Sequence, residues 1–158
     1  MSDLTHLDES GAARMVDVSG KPDTERMARA SGRITMAAET LRAIRDNSMK
    51  KGDVLAVARV AGIMAAKRTA ELIPLCHQIP LSDIQIDFTL DDSLPGIRAE
   101  AKAVTVAKTG VEMEAIIAVS VSLVTIYDMA KGVDKGMEIG EIALHEKRGG
   151  RSGHFQRP

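Results

Sequence analysis

The 158-residue chain has no Trp, one Tyr, two Phe and one Cys. With so few flat side chains it lacks the platforms on which single-stranded nucleic acid stacks. Its 21 Lys and Arg against 22 Asp and Glu leave a formal charge of −1, so no general field attracts a polyanion. Nucleic-acid binding is therefore not expected. A lone Cys76 cannot form an internal disulfide, and His6, His77, His145 and His154 are scattered without the spacing of metal ligands. The longest charge-free run, Ala115 to Tyr127, has 13 residues, short of the roughly 18 or more that a bilayer span needs. No membrane helix is expected. Asp3, Asp8 and Glu9 give the N-terminus an acidic rather than basic flank, unlike a secretory signal, and the expected location is the cytoplasm.

What is present divides the chain into a polar arm over residues 1–30, expected to be mobile, one domain over 31–147, and a flexible basic, glycine-rich tail over 148–158. Alternation predicts a short strand at Arg33–Met36, and the spacing of Leu41 and Ile44 predicts a helix over Ala38–Asp46. Asp53 is placed to cap a long, small-residue helix reaching about Leu72. Pro74 and Pro80 hold Leu75-Cys76-His77-Gln78-Ile79 extended between them. Ile84, Ile86, Phe88 and Leu90 alternate with polar residues, as do Ile97, Ala99, Ala101 and Ala103 after a turn at Asp92–Gly96; this is a β-hairpin. Beyond Ala103 the apolar residues fall on both parities, which predicts an end covered on both faces or bulged. Thr109 and Glu112 have capping-box spacing at the start of a helix running to about Lys131, and a last strand covers Glu138–Glu146. The order predicts an α+β fold of ferredoxin-like type, an antiparallel sheet packed with helices.

Asp128 and Lys131, three apart at a helix end, stand on neighbouring faces. By spacing alone they form a surface ion pair; as the first charges after a long apolar run, they also fit the rim of a buried site, where a carboxylate shifts a lysine's pKa. Glu112 and Glu114 lie at the other end of that helix, Glu112 with a capping role open to it. Glu114 and Asp128 are 14 positions apart, so roughly 21 Å separates their backbones. One small ligand touching both requires a second, oppositely directed copy of the helix, as a two-fold dimer supplies. Cys76 and His77 point to opposite sides of an extended segment, a poor arrangement for a thiol nucleophile. Cys76 is read as a small buried hydrophobe, and His77 as an acid/base or ligand-contact candidate. Lys50-Lys51-Gly52 before the Asp53 helix could favour an anion or be a solvated turn. The tail from Lys147 to His154 could wrap phosphates or be disordered.

Several blocks together resemble one family: Met15-Val16-Asp17-Val18-Ser19, Lys51-Gly52-Asp53-Val54, Ala61-Gly62-Ile63 with Ala65-Ala66-Lys67-Arg68-Thr69, Leu72-Ile73-Pro74-Leu75-Cys76-His77, Thr109-Gly110-Val111-Glu112-Met113-Glu114-Ala115, Thr125-Ile126-Tyr127-Asp128-Met129 and Gly149-Gly150-Arg151-Ser152-Gly153. They resemble the cyclic pyranopterin monophosphate synthases of molybdenum cofactor biosynthesis over about Met15 to Gly153. The sequence differs from the family pattern at Gly132, where alanine is expected, and at Arg151, where lysine is usual.

The resemblance implies a homohexamer, a trimer of dimers, with sites at dimer interfaces. It implies as substrate a cyclic dihydro-GTP, (8S)-3',8-cyclo-7,8-dihydro-GTP, converted to cyclic pyranopterin monophosphate with release of diphosphate, by general acid/base chemistry without a cofactor. A divalent ion could accompany the triphosphate. Asp128 would be the principal acid/base group, and Lys131 and Lys51 would move protons or steady phosphate. His77, with Leu75 and Cys76, and Met113 with Glu114 would contact substrate. Glu112 and Glu114 suit adjacent N–H donors of the guanine-derived ring. Arg26, Lys147 and Arg151 would cover phosphate. The competing class is a non-catalytic oligomeric module that binds an anionic, nucleotide-like metabolite.

Overall fold

A floor of alanine and glycine lets a long helix lie close on the sheet. In the computed structural model, which describes residues 7–8, 10–151 and 153–158, β1 (Thr24–Thr35) and β3 (Gly96–Ala107) pair antiparallel along their whole lengths. Their inward residues Ala28, Ala30, Gly32, Ala99, Ala101 and Ala103 are buried. A Cβ at Gly32 would come within 2.9 Å of both Leu123 and Ile142, so the backbone there is shaped to the helix above it. That helix is α4 (Glu112–Ala130), which packs on β1, β3 and β4 (Glu138–Arg148). Around it the order is β1, α1 (Ala38–Arg45), α2 (Val54–Ala66), α3 (Thr69–Leu72), β2 (Asp83–Asp91), β3, α4, β4, β5 (Phe155–Gln156). The sheet is antiparallel with strand order β2-β3-β1-β4-β5.

α4 is long and apolar enough to cross a membrane by length and composition, and half of its most apolar window is buried in this fold. Ala115, Ala118, Val119, Ser122, Leu123 and Ile126 lie in the core. α2 crosses α4 closely at Gly62, where an added Cβ would meet the Ser122 hydroxyl at 2.2 Å and the Ala118 carbonyl at 2.8 Å. Ser122 itself donates to the Ala58 carbonyl at 3.1 Å. Asp53 caps α2 as expected, accepting from the Ala56 amide at 2.9 Å.

The structure corrects several expectations. The arm ends at Thr24 rather than Ala30, because residues 24–30 form most of the central strand β1; its Glu and Ala residues carry little intrinsic strand signal. Residues 1–6 and 9 of that arm, His6 among them, and Ser152 of the tail lie outside the described residues. The helix expected to reach Leu72 breaks after Ala66, with α3 as a separate short turn. The far end of β3 stays in regular register and leaves Val106 exposed; the irregular pairing lies between β1 and β4. The tail is no loose end: β5 pairs Phe155 with Lys147 and Gln156 with Glu146, and His154 reaches the Glu146 carboxylate at 2.9 Å.

Because the Gly62 contact is with backbone and a buried hydroxyl, Gly62→Ala should cost about 1–3 kcal/mol. Thermal unfolding should show a lower Tm; an unchanged Tm would mean that the two helices can separate freely.

Candidate functional site

Two cavities meet at the N-terminal end of α4. The first, about 480 Å³, is lined by Val16, Val18, Lys21, Leu75, Cys76, His77, Ile79, Thr109, Gly110, Glu112, Met113 and Glu114. The second, about 610 Å³, is lined by Arg26, Lys108, Lys147, Arg148 and Arg151 together with Pro22, Thr24, Met27, Gly149 and Gly150, and shares Lys21, Thr109, Gly110 and Glu112 with the first. One end of this groove is apolar and acidic, and the other is basic.

Helix geometry sets the acidic end. Glu112 and Glu114 occupy the first turn of α4, where the exposed amides favour negative charge. The capping box is not formed: α4 begins at Glu112 after Val111, with no side-chain cap. Glu112 instead folds back over Gly110, where an added Cβ would lie 2.0 Å from its carboxylate oxygen, and binds the Lys147 ammonium at 2.5 Å. Glu114 is 3% exposed and its Oε2 has no hydrogen-bond partner among the described residues. Burial, with the nearby Glu112 charge, raises its pKa from 4.5 to about 7. Burial and the same two carboxylates push the Cys76 thiol up. Cys76 is thus held as a thiol rather than a nucleophilic thiolate. His77 donates from Nε2 to the Val16 carbonyl at 2.8 Å, which fixes its tautomer, pins residues 16–18 over the cavity and leaves Nδ1 as the nitrogen able to meet a ligand.

At the basic end, Arg26 is 9% exposed and donates to the carbonyls of Ala107 and Lys108 at 3.3 and 3.4 Å. The turn above it requires glycine. Gly149 and Gly150 have φ of +100° and +73°, and added Cβ atoms would meet the Glu25 carbonyl at 2.2 Å and the Arg26 guanidinium at 1.7 Å. Arg148 and His154 both bind Glu146, a buried carboxylate. Its burial disfavours charge, and the two partners more than offset this and hold its pKa low.

The other end of α4 carries a separate cluster. Lys131 binds Asp128 at 2.7 Å. Lys51, delivered by the turn that closes at Gly52 with φ of +88°, reaches the same carboxylate at 3.2 Å and the Asp128 carbonyl at 3.0 Å. The lysines, Lys131 first, hold the Asp128 carboxyl below the usual range, and Asp128 in turn raises the Lys131 pKa. These side chains are about half exposed. Gly132 lies past the helix end in open space, so an alanine would fit there.

Of the residues singled out in the sequence, Leu75, Cys76, His77, Glu112, Met113 and Glu114 come together at one end, joined by Arg26, Lys147 and Arg151 across the shared wall. Asp128, Lys131 and Lys51 come together at the other. The structure adds Val16, Val18, Lys21 and Lys108. The Met15–Ser19 block carried a signal for the first two; nothing local distinguishes Lys21 or Lys108, which the fold alone gathers. Among the described residues no group of three or more His, Cys, Asp or Glu side chains converges on a common metal position.

The family model "MoaC family" matches residues 15–150. The chain belongs to the MoaC family. Cyclic pyranopterin monophosphate synthases from Thermomicrobium roseum and Heliobacterium modesticaldum are each 57% identical to it over 157 residues, covering 99% of this chain and 95% and 99% of theirs. One from Cereibacter sphaeroides is 58% identical over 156 residues, covering 99% of this chain and 98% of its own. The MoaC match spans the Asp128 cluster and both cavity walls except Arg151.

The Glu114 environment gives a signed prediction. The folded state holds a proton on Glu114 up to about pH 7, whereas the carboxyl ordinarily releases it near 4.5. The folded chain therefore loses stability as pH rises through that window, and the penalty is complete above it. Glu114→Gln should raise Tm over wild type above pH 7, with the gain vanishing toward pH 4.5. Parallel Tm curves across pH would contradict the burial argument.

Proposed function

We infer that this MoaC-family chain is a cyclic pyranopterin monophosphate synthase of molybdenum cofactor biosynthesis, and that the groove at the start of α4 holds its substrate, a cyclic dihydro-GTP. The activity follows from the family and from relatives that share nearly the whole chain. The observation that carries the site is the junction of an acid-lined cavity with a cation-lined one across Glu112. The ring-derived half enters the first cavity, where carboxylates accept from its N–H groups, and the triphosphate lies among Arg26, Lys147 and Arg151. His77, Cys76, Leu75 and Met113 enclose the ring. The strand and helix order fits a ferredoxin-like fold.

The reaction rearranges the purine-derived part into a pterin, and a sugar hydroxyl attacks the α-phosphorus as the bond to diphosphate breaks. A base must take the hydroxyl proton and cations must meet the leaving charge. Asp128 is the acid/base residue, kept ionised by its lysines. Lys131, kept protonated by Asp128, is a proton donor, with Lys51 steadying Asp128 and phosphate.

These groups lie roughly 21 Å along α4 from Glu114, so the working site takes one end of α4 from each of two chains, in a two-fold dimer. An apolar stripe on α2, Val57, Val60 and Met64, with Val124 of α4, is exposed on the single chain, the kind of surface that a second copy would cover. Further pairing of dimers gives the hexamer. Light scattering should find an assembly, six chains in size; a stable monomer of 16.9 kDa would overturn the shared site.

Asp128→Asn and Lys131→Ala remove exposed groups and should leave the fold intact. Both should still bind the cyclic dihydro-GTP yet lose at least about 100-fold in diphosphate release. A Lys131→Ala variant that only binds more weakly, alongside an Asp128→Asn variant with wild-type turnover, would mean that the groove binds an anionic nucleotide and the acid/base assignment is wrong.

A further inference from the structure

One cation of the groove, Lys147, is already engaged. Lys147 rises from β4 into the wall between the two cavities, and its ammonium is held by Glu112 rather than left for an anion. Arg26, in the same cavity wall, has only backbone carbonyls as hydrogen-bond partners among the described residues. Glu112 in turn faces the ring cavity as well as the basic one; with Oε1 taken by Lys147, only Oε2 is left fully free for the ring, whereas a released carboxylate offers both oxygens to two adjacent N–H donors. Both side chains keep about a quarter of their surface in solvent, and either can be reached by a ligand without unfolding anything.

We propose that Glu112 and Lys147 form an exchangeable ion pair that couples the two cavities. A polyphosphate entering the basic cavity takes the Lys147 ammonium from Glu112, and the freed carboxylate becomes the acceptor for the ring in the neighbouring cavity. This rests on the reading that the basic cavity takes the polyphosphate half of the substrate. The exchange replaces one anion by another at Lys147, so the ammonium never stands uncompensated. It leaves Glu112 charged beside buried Glu114, an arrangement relieved when donors on the ring arrive or when Glu114 keeps its proton. By reciprocity, whatever polyphosphate adds to ring binding, the ring adds to polyphosphate binding. Gly110 leaves room for the pair: an added Cβ there would lie 2.0 Å from Glu112 Oε2 and make the carboxylate shift.

The idea predicts a gain of affinity from a loss of charge. Calorimetry with inorganic triphosphate on the assembled protein should find Glu112→Gln binding at least about fivefold more tightly than wild type, and Glu112→Ala in the same direction. Lys147→Ala should bind more weakly. Asp23→Asn, which removes a similar charge next to the cavity wall at Pro22 and Thr24, should change affinity less than about twofold, the range of simple screened field effects. With the whole substrate, Glu112→Gln should raise KM, because one of the two acceptor oxygens becomes a donor and the charge is lost. If Lys147→Ala weakens triphosphate binding but neither Glu112 variant tightens it, the exchange is wrong while the basic cavity stands. Equal tightening by Asp23→Asn would likewise overturn it, as a general charge effect. If wild type takes up no triphosphate, the cavity assignment and the exchange fall together.

Discussion

The close seat of α4 on an alanine floor is the constraint from which the rest follows. A 19-residue helix packed along its length against β1, β3 and α2 behaves as a rigid rod. Its ends are where polar side chains can sit beside a dry core, and both chemical clusters occur there. The first turn carries Glu112 and Glu114; the last carries Asp128, next to Lys131 at the cap. Small residues at Gly32, Gly62 and the β3 alanines are the cost of that close seat, since nearly any larger side chain would lift the helix.

The same rod separates what it positions. Buried Glu114 and the ionised Asp128 have opposite electrostatic surroundings: one end neutralises a carboxylate by withholding water and partners, the other keeps one charged with two ammonium groups. That divergence fits a division of labour between recognition of a hydrogen-bonding ring and proton transfer to a reacting oxygen. In the proposed mechanism neither cluster closes the reaction alone, and their distance along one helix is the reason a second chain is proposed.

Much of this was legible from sequence, for identifiable reasons. The β2–β3 hairpin alternates cleanly, Asp53 is a strong cap signal, and the capping-box spacing and apolar run marked α4 as one long helix. The Asp128–Lys131 spacing and the opposition of the two acidic ends were readable from helical geometry. Residues 24–30 were not, because an inner strand face built from alanine and arginine looks polar and irregular until the helix above it is known. β5 escaped because two residues after a glycine-rich turn carry no pattern; their partners lie on β4. The Glu112 capping role was the natural local reading. It lost to a tertiary partner, Lys147, 35 positions away, which no local rule could supply.

The central claim is that Glu114 of one chain and Asp128 of another serve the same site. Inactive Glu114→Ala and inactive Asp128→Ala proteins, dissociated and reassembled together, test it most directly through diphosphate release. Partial return of activity in verified mixed oligomers is the predicted result, because some sites then carry both intact residues. Mixed oligomers that stay as inactive as their parents would contradict the shared site.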